Sequence, residues 1–149
     1  MEARIKNLQT ILSDAWGPMV ALGKSLATSP IPEKTRGLVH LRTSQINGCA
    51  VCLDGHVAKS TETPRRLGAV AVWREAPFFS EPERAALGLA EAITRIADQT
   101  ERVPDAIWDE ARRHYDEAEL AWLVFEIAVA NLYNRLNVAT RQVAGTQRW

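Results

Sequence analysis

Cysteine and histidine are both scarce in this chain, with two of the first and three of the second in 149 residues. Two cysteines cannot build the multiply bridged framework of a small secreted domain, so stability has to come from a hydrophobic core. Surplus charge is missing too: eighteen Lys plus Arg balance eighteen Asp plus Glu. No basic excess is available to displace counterions from phosphates, and no nucleic-acid partner is expected. A long unbroken apolar run is also absent. The most apolar stretch, residues 120–138, is interrupted by Glu126, Asn131, Asn134, Arg135 and Asn137, which a bilayer core tolerates poorly, so it reads as a buried helix and no membrane partner is expected. The opening residues, Met1-Glu2-Ala3-Arg4-Ile5-Lys6, alternate charged and apolar types rather than forming a secretory signal, and the expected location is the cytoplasm. Linkers rich in Ser or Gly, internal repeats and alternating strand patterns are lacking as well.

What remains is helical periodicity. With 46% hydrophobic and 24% charged residues, the chain has the composition of an ordinary globular domain, and at this length it buries roughly 70% of its unfolded surface in one core. Ile5, Leu8, Ile11, Leu12, Ala15, Trp16, Met19, Val20 and Leu26 keep a three-to-four spacing up to the Ser29-Pro30-Ile31-Pro32 break, which predicts one amphipathic helix. A second helix is predicted to start at Pro32 and to end at Asn47-Gly48, and a short one to hold Cys49 to Lys59. Thr63-Pro64 reads as an N-cap followed by a first-turn proline; Ser80 with Glu83, and Asp116 with Glu119, have capping-box spacing. Pro104 opens a further helix, and Gly145 is placed to close the last one. The expectation is a single all-α domain over residues 1–149 with six or seven helices.

The chemistry concentrates at Cys49, Cys52 and His56. On a helix these three lie at about 0°, 300° and 340°, within one sector of about 60°. Two thiols and an imidazole on one face suit dithiol chemistry: a thiolate attacks, the second thiol closes a disulfide, and the imidazole moves a proton. Helix-end electrostatics favours the thiolate at Cys49 and more weakly at Cys52. Three other uses stay open. A structural disulfide closing about four residues contributes only about 2 kcal/mol. A zinc site needs a fourth ligand, and only His40 and His114 remain among the histidines. Two buried inert thiols are the third. No metal and no cofactor is called for.

The run Gly37-Leu-Val-His-Leu-Arg-Thr-Ser-Gln-Ile-Asn-Gly-Cys-Ala-Val-Cys-Leu-Asp-Gly-His56 resembles the core motif of the alkylhydroperoxidase D-like branch of the carboxymuconolactone decarboxylase family. Trp73-Arg-Glu-Ala-Pro77, Glu83-Arg-Ala-Ala-Leu87 and Asn131-Leu-Tyr-Asn-Arg-Leu-Asn137 extend the likeness from Pro32 to about Val143. The resemblance implies an all-helical fold assembling into homo-oligomers, trimers or hexamers, and a thiol-dependent peroxidase recycled by a protein or small-molecule dithiol. It also implies that Cys52 is the peroxidatic cysteine, Cys49 the resolving one and His56 the relay histidine. In this assignment Cys52, one turn from His56, takes precedence over the helix-end preference for Cys49.

Two positions depart from the motif: Gly37 stands where the family has a relay glutamate, and Val51 where its best-studied members have a histidine. His40, one turn after Gly37, is a possible substitute in the relay, although a single helical histidine equally fits a structural role. Without the carboxylate, slow turnover that rises with pH is expected. The alternative functions are a thiol-disulfide sensor or another non-peroxidase member of the fold, with lactone decarboxylation less favoured because it does not use this thiol pair. Trp16, Trp73, Trp108 and Trp122 read as core, His114 as a helix-end cation, and Asn131 and Asn134 as groups needing buried partners or a subunit contact. Arg135 is expected to pair across an interface, and residues 120–132 together with the N-terminal helix to be covered by another subunit.

Overall fold

The computed structural model describes residues 2–146. Among these the chain is all helical: α1 (Leu8–Ile11), α2 (Ser13–Ser25), α3 (Glu33–Asn47), α4 (Ala50–Lys59), α5 (Pro64–Ala69), α6 (Glu81–Thr94), α7 (Asp105–Arg112) and α8 (Glu117–Thr140), with single 3-10 turns after α2 and α5. The all-α expectation holds, and the described residues carry eight α-helices rather than six or seven. One reason is that the N-terminal amphipathic stretch is interrupted at Leu12, whose φ of −96° and ψ of 33° leave the helical region. Periodicity alone does not register a break of one residue.

The helix starts follow local chemistry. Thr63 accepts a bond from the Arg66 N–H, with Pro64 in the first turn. Ser80 with Glu83, and Asp116 with Glu119, both form complete capping boxes, each satisfying two otherwise orphaned backbone donors. Pro32 and Pro104 are themselves N-caps, so α3 and α7 begin one residue after them. The last helix ends earlier than Gly145 would have it, at Arg141 in the left-handed region with φ 53°.

Helix α3 runs through the middle of the molecule, packed against α8, α6 and α4. Val39 joins Leu89, Leu123 and Ile127 in one apolar cluster, while Leu38 and Leu41 join Val70, Trp73 and Leu87 in a second. Trp73 is therefore core as read from the sequence, and Trp108 and Trp122 pack against the first cluster, whereas Trp16, expected in the core, is only half-buried on α2 and belongs to neither cluster. The remaining faces of this central helix are polar and still buried, at Thr35, Thr43 and Ser44. Ser44 and Thr43 are matched from other helices, Thr43 by the Thr94 hydroxyl at 3.5 Å. Asn134 Nδ2 donates to Ser44 Oγ at 3.1 Å, and Asn47 Nδ2 lies 2.9 Å from the carbonyl oxygens of both Asn131 and Asn134. Asn131 and Asn134 thus find their partners inside the chain, and Arg135 Nη1 donates to the carbonyl and side chain of Asn131. Hydrogen bonds of this kind fix the register of α8 on α3 more sharply than apolar packing alone, because a shifted register would orphan every buried partner. No helix among the described residues is long and apolar enough to cross a membrane.

Candidate active site

The site is built on a two-residue joint. Gly48 closes α3 with φ 67°, a left-handed conformation that glycine adopts without a Cβ penalty. Its N–H and that of Cys49 return to the carbonyls of Gln45 and Ser44. Cys49 is at once the N-cap of α4, and no side chain caps that helix start. Cys52 follows in the first turn and His56 one turn later, on the short helix expected between Cys49 and Lys59.

The two sulfurs are joined as a disulfide, with Cα atoms 5.3 Å apart. Their surroundings differ. Cys49 is buried at 2% exposure. Cys52 is half-buried and borders a cavity of about 260 Å³ between α2, α3, α4 and α8, whose walls include His56, Leu26, Val129, Ala130 and Tyr133. Asn137 Nδ2 donates to Cys52 Sγ at 3.4 Å. A donor aimed at sulfur favours its anionic form.

His56 is linked to a second histidine. His40 Nδ1 and His56 Nε2 are 2.9 Å apart, with the rings edge to face. On the far side of His40, Nε2 lies 2.6 Å from Glu126 Oε1, a carboxylate only 3% exposed. The contact is close but out of line with the ring N–H bond, and Glu126 Oε2 has no partner among the described residues. Burial pushes the His56 pKa down to about 3, assisted by the nearby charges of His40 and Lys59, so at neutral pH this imidazole is uncharged.

His40, His56 and Lys59 also border a second cavity, of about 320 Å³, which reaches Gly37 and Glu126. The imidazole pair therefore separates the two cavities. A Cβ at Gly37 would meet nothing within 4 Å, so the motif's glutamate is absent at 37 and its space is open. A carboxylate instead reaches the histidine pair from α8, lining the same cavity as Gly37.

The structure thus places Cys49, Cys52 and His56 on one short helix and brings His40 to His56 from α3. His114 lies apart, 3.2 Å from Glu110 at the end of α7. Two residues at the site escaped the sequence reading: Glu126 and Asn137, both taken as polar interruptions of an apolar helix, Asn137 also as part of the likeness. The available signal was the solitary carboxylate inside residues 120–132, which burial without a partner would make costly.

Comparison with known proteins agrees with this architecture. Residues 17–92 match the model of the carboxymuconolactone decarboxylase family. The uncharacterised protein YdfG of Bacillus subtilis is 40% identical over 124 residues, covering 81% of this chain and 83% of that protein. The uncharacterised protein YnjA of Escherichia coli is 38% identical over 114 residues, covering 74% of this chain and 61% of YnjA. Among solved structures, Atu0492 of Agrobacterium tumefaciens, described as a candidate antioxidant defence protein AhpD, superposes with a TM-score of 0.91 at 32% identity over 98% of this chain and all of that one. The debrominase Bmp8 superposes with a TM-score of 0.80 at 25% identity, over 93% of this chain and 75% of that one. The helical fold, the family model and these relatives agree: the chain belongs to the carboxymuconolactone decarboxylase family, in its alkylhydroperoxidase D-like branch.

Proposed function

We propose that the protein is a thiol-dependent peroxidase that cycles Cys49 and Cys52 between dithiol and disulfide. The observation that carries this reading is the Cys49–Cys52 bridge whose Cys52 sulfur, hydrogen-bonded by Asn137, borders a largely apolar cavity shared with His56. In the reduced protein the Cys52 thiolate attacks the terminal oxygen of a hydroperoxide ROOH. The O–O bond breaks, RO⁻ takes up a proton and departs as ROH, and the sulfur becomes a sulfenic acid. The Cys49 thiol then attacks that sulfur, forming the disulfide and releasing water. An external dithiol, small or protein-borne, returns both thiols and is itself oxidised. His56 and His40 serve the proton movements. The apolar walls from Leu26, Val129 and Ala130 suit an alkyl hydroperoxide at least as well as hydrogen peroxide.

Adding cumene hydroperoxide or hydrogen peroxide to the reduced protein is expected to form the Cys49–Cys52 disulfide, and adding a dithiol to sustain turnover. Thiols that stay free for minutes in peroxide overturn the reading. The likeness to Bmp8 favours a second use of the same dithiol, reduction of a halogenated ring. Tribromopyrrole in place of peroxide in the same assay separates the two.

The cytoplasm, where dithiol reductants are abundant, is the location this chemistry fits. Assembly into a homo-oligomer, a trimer or hexamer, belongs to the same proposal. Helix α2 has no buried residue although it carries Trp16, Met19, Val20 and Leu22, and Leu132 and Val138 of α8 are more than 40% exposed. Partly exposed apolar side chains on α2 beside exposed ones on α8 mark an interaction face. Light scattering at micromolar concentration is expected to give a multiple of the chain mass, and a monomer alone removes this part of the proposal.

A further inference from the structure

His56 by itself is a poor acceptor for a thiol proton. An imidazole held near pKa 3 lies more than five units below an ordinary thiol at about 8.5, so transfer to it alone is disfavoured by about 10⁵-fold. The same burial and neighbouring charges that depress it make a lasting positive charge at that ring costly.

The charge has somewhere else to go. Glu126 Oε1 stands 2.6 Å from His40 Nε2; the contact is off the N–H line and leaves Nε2 without a formed hydrogen bond, but a carboxylate this close favours the tautomer protonated at Nε2, which leaves Nδ1 with a lone pair. His40 Nδ1 then accepts from His56 Nε2–H across the 2.9 Å contact, and the free nitrogen of His56 becomes Nδ1, the atom left for a proton arriving from the thiol. A carboxylate at one end thus sets both tautomers. The unpartnered Oε2 of Glu126, in a side chain 3% exposed, is not the arrangement of a pair retained for stability, which would satisfy both oxygens.

We propose that Glu126 is a positioning residue that acts through His40, so that the proton leaving Cys52 comes to rest on His40 beside the Glu126 carboxylate rather than on His56. This rests on the reading of Cys52 as the reactive thiol. In the transfer the Cys52 S–H bond breaks and His56 Nδ1 gains the proton, while His56 Nε2 gives its own proton to His40 Nδ1. A neutral thiol and a neutral His40 become a thiolate and an imidazolium, and no electrons change hands. The imidazolium faces Glu126, and the proton returns along the same route to the alkoxide released from the peroxide. The other charged groups around the pair are Lys59 on α4, Glu33, Lys34 and Arg36 on α3, and Glu62 after α4. Of these, Lys59 opposes a positive charge on His56, which favours its passage to His40.

The test reads the thiol directly. In reduced Cys49→Ser protein, the rate of Cys52 alkylation by iodoacetamide is followed against pH, alongside thermal melts. The parent is expected to show a midpoint below that of a free thiol. Glu126→Gln, and separately His40→Gln, should raise the midpoint by about one unit, which is about tenfold slower alkylation near neutral pH. Because a side chain at 37 enters open space on the same cavity, Gly37→Glu added to Glu126→Gln should recover much of that loss. Folded Glu126→Gln and His40→Gln proteins with the parent's midpoint overturn the proposal, and His40→Gln alone decides it if Glu126→Gln does not fold. Shifted midpoints in a protein that ignores peroxide support the relay and overturn only the peroxidase reading. Unshifted midpoints in a protein that consumes peroxide do the reverse.

Discussion

Cys52→Ser reduces peroxide consumption to the uncatalysed background, an expected loss of at least about 10³-fold, whereas Cys49→Ser retains one turnover and then stops. The asymmetry comes from where the sulfurs lie. Cys52 borders the cavity and receives the Asn137 donor, while Cys49 is 2% exposed and lines a different cavity, one that His56 does not border. A serine hydroxyl at 52 does not ionise at neutral pH and lacks the polarisable sulfur that attacks an O–O bond. A serine at 49 leaves the attack intact and removes only the thiol that closes the disulfide, so the product is a sulfenic acid, seen as one added oxygen by mass spectrometry. Stopped-flow consumption of peroxide with intact-mass readout checks both variants. A burst in Cys52→Ser and none in Cys49→Ser would exchange the two roles.

Mild acid is expected to destabilise the fold strongly, and most of the effect traces to His56. Its pKa is about 3 when folded and about 6.5 when unfolded. Between those values the unfolded chain binds the extra proton, so stability is fully present above about pH 6.5 and is lost as pH falls toward 3. The first two units of that descent, from about pH 6.5 to 4.5, remove roughly 2–3 kcal/mol, and the whole shift is worth on the order of 5 kcal/mol. That is a large part of the stability of a domain this size. Glu91 adds its own acid sensitivity. Burial alone would raise its pKa, but hydrogen bonds from Arg74, Trp73 and Arg42 hold it below the usual value, so its contribution is lost lower, in the carboxylate range below about pH 5. Urea titrations at a series of pH values separate the two, because His56→Gln flattens the curve between about pH 5 and 6.5. A curve equally steep in that variant would assign the sensitivity elsewhere.

These effects divide by how local their causes are. The pairing of Cys49, Cys52 and His56 is a matter of spacing along one helix, and Asn47-Gly48, Ser80 with Glu83, and Asp116 with Glu119 carry their turn and cap chemistry within four residues, so all were legible. His40 could be placed on the right helix, but its link to His56 depends on how α3 crosses α4. Glu126 and Asn137 arrive from α8, some seventy to eighty-five residues beyond the cysteines, and their approach is fixed by buried bonds such as Asn134 to Ser44. Nothing in residues 120–132 says which neighbour a buried carboxylate will meet. The empty position at Gly37 was legible as a loss, and only tertiary packing shows a carboxylate from α8 beside the same histidine.

The unequal burial of the two sulfurs also gives the disulfide a direction during recycling. Under the peroxidase reading, an incoming thiolate meets the more exposed Cys52 ahead of Cys49, so the mixed disulfide forms at Cys52 and Cys49 is the leaving group. That sulfur departs as an anion at the N-cap of α4, where no side chain occupies the first-turn N–H groups and the positive end of the helix lowers the energy of a thiolate. The helix-end electrostatics that pointed to Cys49 as the attacker thus act in the opposite half of the cycle, easing the release of the thiol that resolved the sulfenic acid.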